Sequence, residues 1–299
     1  MITAQNITKK FDGAVALDDV SFEIDEGSVY GLVGSNGSGK STLLRLIAGV
    51  YIPDSGKIGI DRIDVFNNPA VKTQIAFLGD TPYFLPQSDL SEMRRFFKGM
   101  YVSFDDNEYY RLLELFPLDE KKRISSFSKG MQRQAALILN LSTCPKYILL
   151  DEAFDGLDVV MRRVLTNIIM DGVERRGMTA VISSHNLREL EDVCDHIGLI
   201  HNGKMLLNDN LDALKGKVHK IQAVFKNIPE KTAFGGLDII KSDRTGSVIS
   251  LVAKGEKDEI LSYVNRLSPI FVECIEPTLE EMFVFELEAT GYDIKNILE

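Results

Sequence analysis

The run Gly34-Ser35-Asn36-Gly37-Ser38-Gly39-Lys40-Ser41 follows the pattern G-x-x-x-x-G-K-[ST], with Thr42 immediately after it. Glycines at this spacing let successive backbone N–H groups curl around a polyphosphate without side-chain collision. Lys40 is expected to bridge the β- and γ-phosphates, and the Ser41 hydroxyl to complete a Mg²⁺ shell. A second pair of groups closes the apolar run Tyr147-Ile148-Leu149-Leu150, namely Asp151 and Glu152. Acids at the C-terminal end of a buried strand stand where open α/β sheets hold their ligands. Asp151 is expected to hold Mg²⁺ through its water shell, and Glu152 to polarise an attacking water. The chemistry these residues suit is attack on the γ-phosphate of a Mg²⁺-bound nucleoside triphosphate; the glycine loop alone does not separate kinases, GTPases, motors and transport ATPases.

Both motifs need a strand to deliver them. Ser28–Val33 is a short apolar run ending in glycine, as a strand buried on both faces would be. Residues 41–49 carry leucines at helical spacing with Gly49 at the C-cap position. Strand, glycine loop and helix make half an α/β unit. Ahead of it, the first twenty-five residues alternate as two strands of an antiparallel sheet. Residues 88–141 read as three amphipathic helices, 91–101, 105–116 and 130–141. Strand and helix then alternate again: 147–150 and 179–183 as strands, 160–175 and 187–193 as helices. Asn202-Gly203 turns a hairpin.

The pattern breaks at 208–217, through Asn208-Asp209-Asn210 and Lys215-Gly216-Lys217. Beyond it, strands are expected at 218–225, 237–241, 247–253 and 270–275, and helices at 257–267 and 278–287, the last started by Pro277. The expected domains are therefore 1–210, with a helical part at about 83–143, and 211–299.

Composition narrows the function classes. The 299 residues carry 34 Lys and Arg against 44 Asp and Glu, a net charge of −10. That balance argues against non-specific attraction to nucleic acid or an anionic membrane surface. No apolar window approaches the roughly 20 residues of a membrane-spanning helix, and the N-terminal residues have neither the basic nor the apolar region of a secretory signal. Cys144, Cys194 and Cys274 form no metal-ligand or CxxC spacing and are expected to be small buried hydrophobes in a reducing compartment. His196, His201 and His219 match no motif and are expected at the surface. A soluble, cytoplasmic chain follows, with any membrane role supplied by another polypeptide.

A third motif gives the chemistry a context. Phe127-Ser128-Lys129-Gly130-Met131-Gln132 opens the helix that runs to Leu141, about twenty residues before the Asp151-Glu152 strand. With it, the chain resembles the nucleotide-binding subunit of an ATP-binding cassette (ABC) transporter, over residues 1 to about 210. Ser128 and Gly130 match the family's Leu-Ser-Gly-Gly-Gln signature, while Lys129 replaces its first glycine and Met131 its glutamine. Within the family the similarity is greatest to the bacterial ABC-2-type exporters of the antibiotic-resistance group. The resemblance implies an α/β P-loop NTPase: a RecA-like core sheet, an N-terminal antiparallel β subdomain and a helical subdomain, followed here by a small C-terminal α+β domain.

It also implies roles. Phe11 stands where the family has an aromatic residue that stacks on adenine, with Val15 following. Asp155-Gly156-Leu157-Asp158 resembles the D-loop that crosses the dimer interface, and His185 the switch histidine that bonds the γ-phosphate and the attacking water. Where the family has a glutamine that contacts Mg²⁺ and senses the membrane partner, the alignment puts Asp80, with Gln74 and Gln87 as rivals. An acid there adds negative charge beside the γ-phosphate, and unassisted hydrolysis is expected to be slow. The implied mechanism is a head-to-tail homo- or heterodimer closing on two ATP molecules. Phe11, residues 34–42, Asp80, Asp151, Glu152 and His185 of one chain face Ser128 and Gly130 of the other. An integral membrane permease is the implied partner, docked on residues 83–104, where Phe84, Phe96, Phe97, Met100, Tyr101 and Phe104 cluster. Nucleic acid is not an expected partner, since neither paired cassettes nor basic stripes are present. A non-transporting regulatory or sensory ABC ATPase is the alternative. The C-terminal extension is expected to serve dimerisation, regulation or neither.

Overall fold

A computed structural model of the chain describes residues 1–289. It divides into two compact units, one ending at Asn208 and the other beginning at Asp209.

The first unit opens with strands Ile2–Phe11 (β1) and Ala14–Ile24 (β2), joined at Asp12 and Gly13, both with positive φ as a type I′ hairpin requires. Strand Val29–Val33 (β3) is buried along its whole length and leads through the glycine loop into helix Lys40–Ile47 (α1). Ser55–Ile60 (β4) and Ile63–Asp64 (β5) return to the antiparallel sheet, whose order is β2-β1-β4-β5. After the short helix Pro69–Lys72 (α2), strand Ile75–Leu78 (β6) leads away from the sheet core into three helices, Leu90–Met100 (α3), Asp106–Leu115 (α4) and Lys129–Leu141 (α5). The remaining elements are Tyr147–Asp151 (β7), Val159–Arg176 (α6), Thr179–Ser184 (β8), Leu187–Glu191 (α7), His196–His201 (β9) and Lys204–Asn210 (β10).

The main sheet runs β10-β9-β3-β8-β7-β6, and β9, β3, β8, β7 and β6 are parallel to one another. Its register is what gathers the chemistry. Val33 pairs with Ser184, Ser183 with Asp151, and Leu150 with Leu78, so four neighbouring strands end at one level. The glycine loop, Glu152, His185 and Asp80 all leave from that edge. The core between this sheet and the antiparallel one is built from Ile2, Ile7, Leu17, Phe22, Tyr30, Leu32, Leu43, Leu44 and Leu149, all buried.

In the second unit, helix Leu211–Lys217 (α8) precedes a four-stranded sheet. Its strands are Val218–Val224 (β11), Asp238–Thr245 (β12), Val248–Lys254 (β13) and Phe271–Ile275 (β14), in the order β12-β13-β11-β14. Helix Lys257–Arg266 (α9) packs Ile260 and Val264 on one face of it, and Leu279–Ala289 (α10) closes the described chain. The last ten residues of the expected 211–299 domain lie outside the described residues.

Three local expectations differ from the structure. Residues 211–217 are a helix rather than an interruption, because the Asn210 side chain caps it at Ala213 N. Helix α10 starts one residue after Thr278, which exchanges capping bonds with Glu281, so Pro277 stands ahead of the cap. His201 and His219 are buried, since β9 is covered on both faces and His219 lies on a largely buried stretch of β11. No helix of the described residues is long and apolar enough to cross a membrane.

Candidate functional site

Gly39 ends the glycine loop at φ 116°, and a Cβ there would stand 2.8 Å from the Ala16 carbonyl oxygen. The loop therefore presses on β2 next to Val15. Helix α1 starts at this glycine with no side-chain cap, whereas α2 to α7 each have one. Its first N–H groups are left to an external acceptor at the positive end of the helix dipole.

Lys40 Nζ donates to the carbonyls of Gly34 at 2.6 Å and Ser35 at 3.2 Å, and lies 3.1 Å from Glu152 Oε1. The other Glu152 oxygen, Oε2, is 3.0 Å from His185 Nδ1 and accepts from the His185 backbone N–H at 3.3 Å. One carboxylate thus bridges the lysine of the glycine loop and the histidine after β8. Asp155 joins this group: it, Glu152 and His185 each bring a ligand atom within 4.8 Å of the others.

Asp151 lies one residue earlier, fully buried. Its Oδ1 accepts from Ser41 Oγ at 3.0 Å and from Ser183 Oγ at 2.7 Å. Its Oδ2 is buried with no hydrogen-bond partner among the described residues, and the same holds for Ser38 Oγ. A buried carboxylate oxygen without a donor is a costly arrangement on its own. Beside the Ser41 hydroxyl it makes a hard-oxygen donor set of the kind Mg²⁺ takes.

The remaining expected residues are placed as follows. Phe11 is exposed at the hairpin of β1 and β2, with its ring edge-on to Tyr51 at 5.3 Å; Val15 is exposed across the same hairpin. Asn36 and Gly37 lie at the crest of the loop, and Thr42 is in the first turn of α1. Ser128 is exposed and caps α5, accepting from Met131 N at 3.2 Å. Gly130 packs under the D-loop: a Cβ on it would meet the Gly156 carbonyl oxygen at 2.8 Å. Asp80 sits just past β6, and its Oδ1 accepts from Arg133 Nη2 at 3.0 Å.

Three groups are absent from the sequence reading. Ser183 holds Asp151 and also accepts from Glu152 N at 3.0 Å. Arg162 donates to Leu157 O and to Glu189, which in turn accepts from Ser184, the residue before His185. Arg133 is the third. Its one sequence signal is a charge on the face of α5 that otherwise buries Ala136, Leu137 and Asn140.

Residues 17–155 match the family model described as ABC transporter. The chain is 31% identical over 284 residues to the ABC transporter ATP-binding protein YtrB of Bacillus subtilis (strain 168), covering 95% of this chain and 97% of that one. It is 30% identical over 223 residues to the bacitracin transport ATP-binding protein BcrA of Bacillus licheniformis, covering 74% of this chain and 73% of that one. Among solved structures, an ATP-binding subunit of an ABC transporter superposes with a TM-score of 0.67 at 27% identity, over 72% of this chain and 92% of that one.

Proposed function

The chain belongs to the ABC transporter family as an ATP-binding, ATP-hydrolysing subunit, and from that premise we propose how its residues do the work. The observation that carries the reading is the Glu152 carboxylate, held between Lys40 and His185 at the end of four aligned strands.

Residues 34–42 and the uncapped start of α1 bind the triphosphate, with Lys40 turning from Glu152 to the β- and γ-phosphates. Phe11 takes the adenine ring, with Val15 beside it. Ser41 and Asp151 would hold Mg²⁺, the second with the oxygen that has no donor among the described residues, and Asp80 would contribute through water with the oxygen not engaged by Arg133. When bound, the ion neutralises charge on the β- and γ-phosphate oxygens. Glu152 accepts the proton of the attacking water, and His185 orients that water and the γ-phosphate. Ser128, exposed at the N-cap of α5, and Gly130 in its first turn cover the γ-phosphate of a second cassette, the same chain or a near relative.

Closure on ATP and release after hydrolysis drive a membrane permease, which brings the chain to the inner face of the membrane. A groove of about 400 Å³ lined by Phe77, Tyr83, Phe84, Phe97 and Tyr101 supports docking on the helical subdomain. Phe104, by contrast, is buried within it. The relation to a bacitracin transport subunit supports the exporter branch; no observation favours a non-transporting ATPase. The test is Glu152→Gln, which should trap ATP in a stable dimer. A chain that stays monomeric on size exclusion with ATP would sink the two-cassette mechanism.

A further inference from the structure

Glu152 has a φ of 50°, a left-handed backbone conformation at a residue with a side chain. Such conformations persist only where the surroundings over-determine them. Here both sides of the residue are held. Its N–H donates to the Ser183 carbonyl at 3.2 Å and to Ser183 Oγ at 3.0 Å. Its carbonyl accepts from Asp155 N at 3.1 Å and from Arg133 Nη1. The other arm of the same guanidinium, Nη2, donates to Asp80 twice, to the carbonyl at 2.6 Å and to Oδ1 at 3.0 Å.

Arg133 is a buried cation whose hydrogen bonds go to two places that chemistry would want coupled. One is the backbone of the residue read as general base. The other is the loop after β6, and Asp80 lines the same groove as Tyr83, Phe84 and Phe97. The planar fork of arginine fixes the separation of those two acceptor groups, which a lysine cannot do. The Asp80 side chain is 59% exposed at that groove, while Arg133 is 10% exposed. An element seated in the groove therefore meets Asp80 first and reaches Glu152 through one side chain.

We propose that Arg133 is a positioning residue for hydrolysis: it holds the Glu152 backbone in its left-handed conformation and ties that conformation to Asp80, so that displacing the Asp80 loop withdraws the general base. The proposal rests on the reading of Glu152 as the base, and it makes Asp80 a structural lever in addition to its water-mediated place near the ion.

The experiment uses the full chain with Mg·ATP in single-turnover hydrolysis, a fluorescent ATP analogue for affinity, and hydrogen exchange of the peptide spanning 151–158. Arg133→Met should lower the hydrolysis rate about 10- to 100-fold, the scale of a small misplacement of a reacting group. ATP affinity should stay within about threefold, and exchange in 151–158 should rise even without nucleotide. Without nucleotide, where neither the γ-phosphate nor the ion feels the Asp80 charge, Asp80→Asn should raise exchange in 151–158 and add little in the Arg133→Met background, since residues acting through one contact are non-additive. A rate within about twofold of wild type with unchanged exchange, or an Asp80→Asn effect that persists in full beside Arg133→Met, overturns the proposal. If Arg133→Met does not fold, Arg133→Lys and Asp80→Asn decide it: slow hydrolysis by Arg133→Lys at unchanged ATP affinity, with raised nucleotide-free exchange of 151–158 in both variants, supports it, and a wild-type rate for Arg133→Lys with unchanged exchange in both refutes it. Glu152→Gln run in parallel separates the two readings. Full turnover there removes the base assignment, while loss of turnover there with an unaffected Arg133→Met removes only the positioning role.

Discussion

The Lys40 ammonium lies 3.1 Å from Glu152 Oε1, with the two side chains only 5% and 11% exposed. Taking either charge out of water is expensive, and each is compensated chiefly by the other. On the proposed assignment, triphosphate binding would exchange this contact for phosphate oxygens and free Glu152, so that nucleotide binding and activation of the base would be one event.

Lys40→Ala should therefore do two separable things. ATP binding should fall by at least about 100-fold, as expected for losing a charge-assisted contact to phosphate. The nucleotide-free chain should also lose about 1–3 kcal/mol of stability, because Glu152 is left without its cation. Adding Glu152→Gln should restore part of that stability and none of the binding. Calorimetry of the two variants checks the first claim against the second; equal melting temperatures for Lys40→Ala and the double variant would contradict it.

Asp151 makes a sharper case for the ion. Its Oδ1 is occupied by two hydroxyls and its Oδ2 has no donor among the described residues. Asp151→Asn should leave ATP affinity in EDTA within about threefold of wild type and abolish the gain that Mg²⁺ brings. Titration of a fluorescent ATP analogue with and without Mg²⁺ measures both. A Mg²⁺-dependent gain that survives in the variant would take the ion away from Asp151.

How far the sequence led depends on the kind of contact. Helices α3, α4, α5 and α6 were legible to within a residue or two at each end, because their caps are Asp89, Asp105, Ser128 and Asp158 and their apolar spacing is regular. Strands β3, β7 and β8 were legible as apolar runs, and with them the level at which Lys40, Asp151, Glu152 and His185 emerge, whereas β6 was not read as a strand. What the spacing of residues does not carry is the side-chain link between distant elements. Arg133 and Asp80 are 53 positions apart, and Arg162 and Glu189 are 27 apart. Nothing in local periodicity pairs them. His201 and His219 were misplaced for a related reason: burial of a strand residue is set by what covers the sheet, which the strand's own sequence does not state.

The Arg162–Glu189 pair gives a further prediction. The Glu189 side chain is 8% exposed and accepts from Arg162 Nη1 at 2.7 Å and from Ser184 Oγ at 2.8 Å, while Arg162 Nε donates to Leu157 O at 3.0 Å. One carboxylate thus steadies both the D-loop and the residue before His185. Glu189→Ala should cost about 1–3 kcal/mol in urea unfolding and should lower kcat more than it raises the KM for ATP. Glu189→Gln, which still accepts from Ser184, should recover most of the stability. If Glu189→Ala moved KM alone, the carboxylate would have no part in holding His185 in place.

Of the three cysteines expected to be buried, only Cys194 is; Cys144 and Cys274 are half-buried, and their chemistry tests the difference. Burial pushes the Cys194 thiol far above its ordinary range, with the Asp195 carboxylate adding to the effect. Burial also raises Cys144, partly offset by Arg176, and Cys274, partly offset by Lys257. A raised thiol pKa means less thiolate at any given pH, so alkylation should be slow and should accelerate as pH rises. With iodoacetamide at pH 8, mass spectrometry should find Cys144 and Cys274 modified more slowly than a free cysteine, and Cys194 only after denaturant. Early labelling of Cys194 would contradict its place beneath Gly31 in the core.

Phe11 separates stacking from packing. Phe11 is 39% exposed, makes a T-shaped contact with Tyr51, and has Lys9 Nζ over its ring at 5.3 Å from the centroid. A base stacked on an aromatic ring is worth about 1–3 kcal/mol. Phe11→Ala should thus weaken ATP binding about 5- to 100-fold while leaving inorganic triphosphate binding, which has no ring to lose, unchanged. Phe11→Tyr and Phe11→Trp should keep nucleotide affinity within about threefold of wild type. Competition between ATP and triphosphate at the same site gives both numbers in one titration. Equal weakening of the two ligands by Phe11→Ala would mean that the hairpin shapes the phosphate loop through Gly39 rather than stacking on adenine.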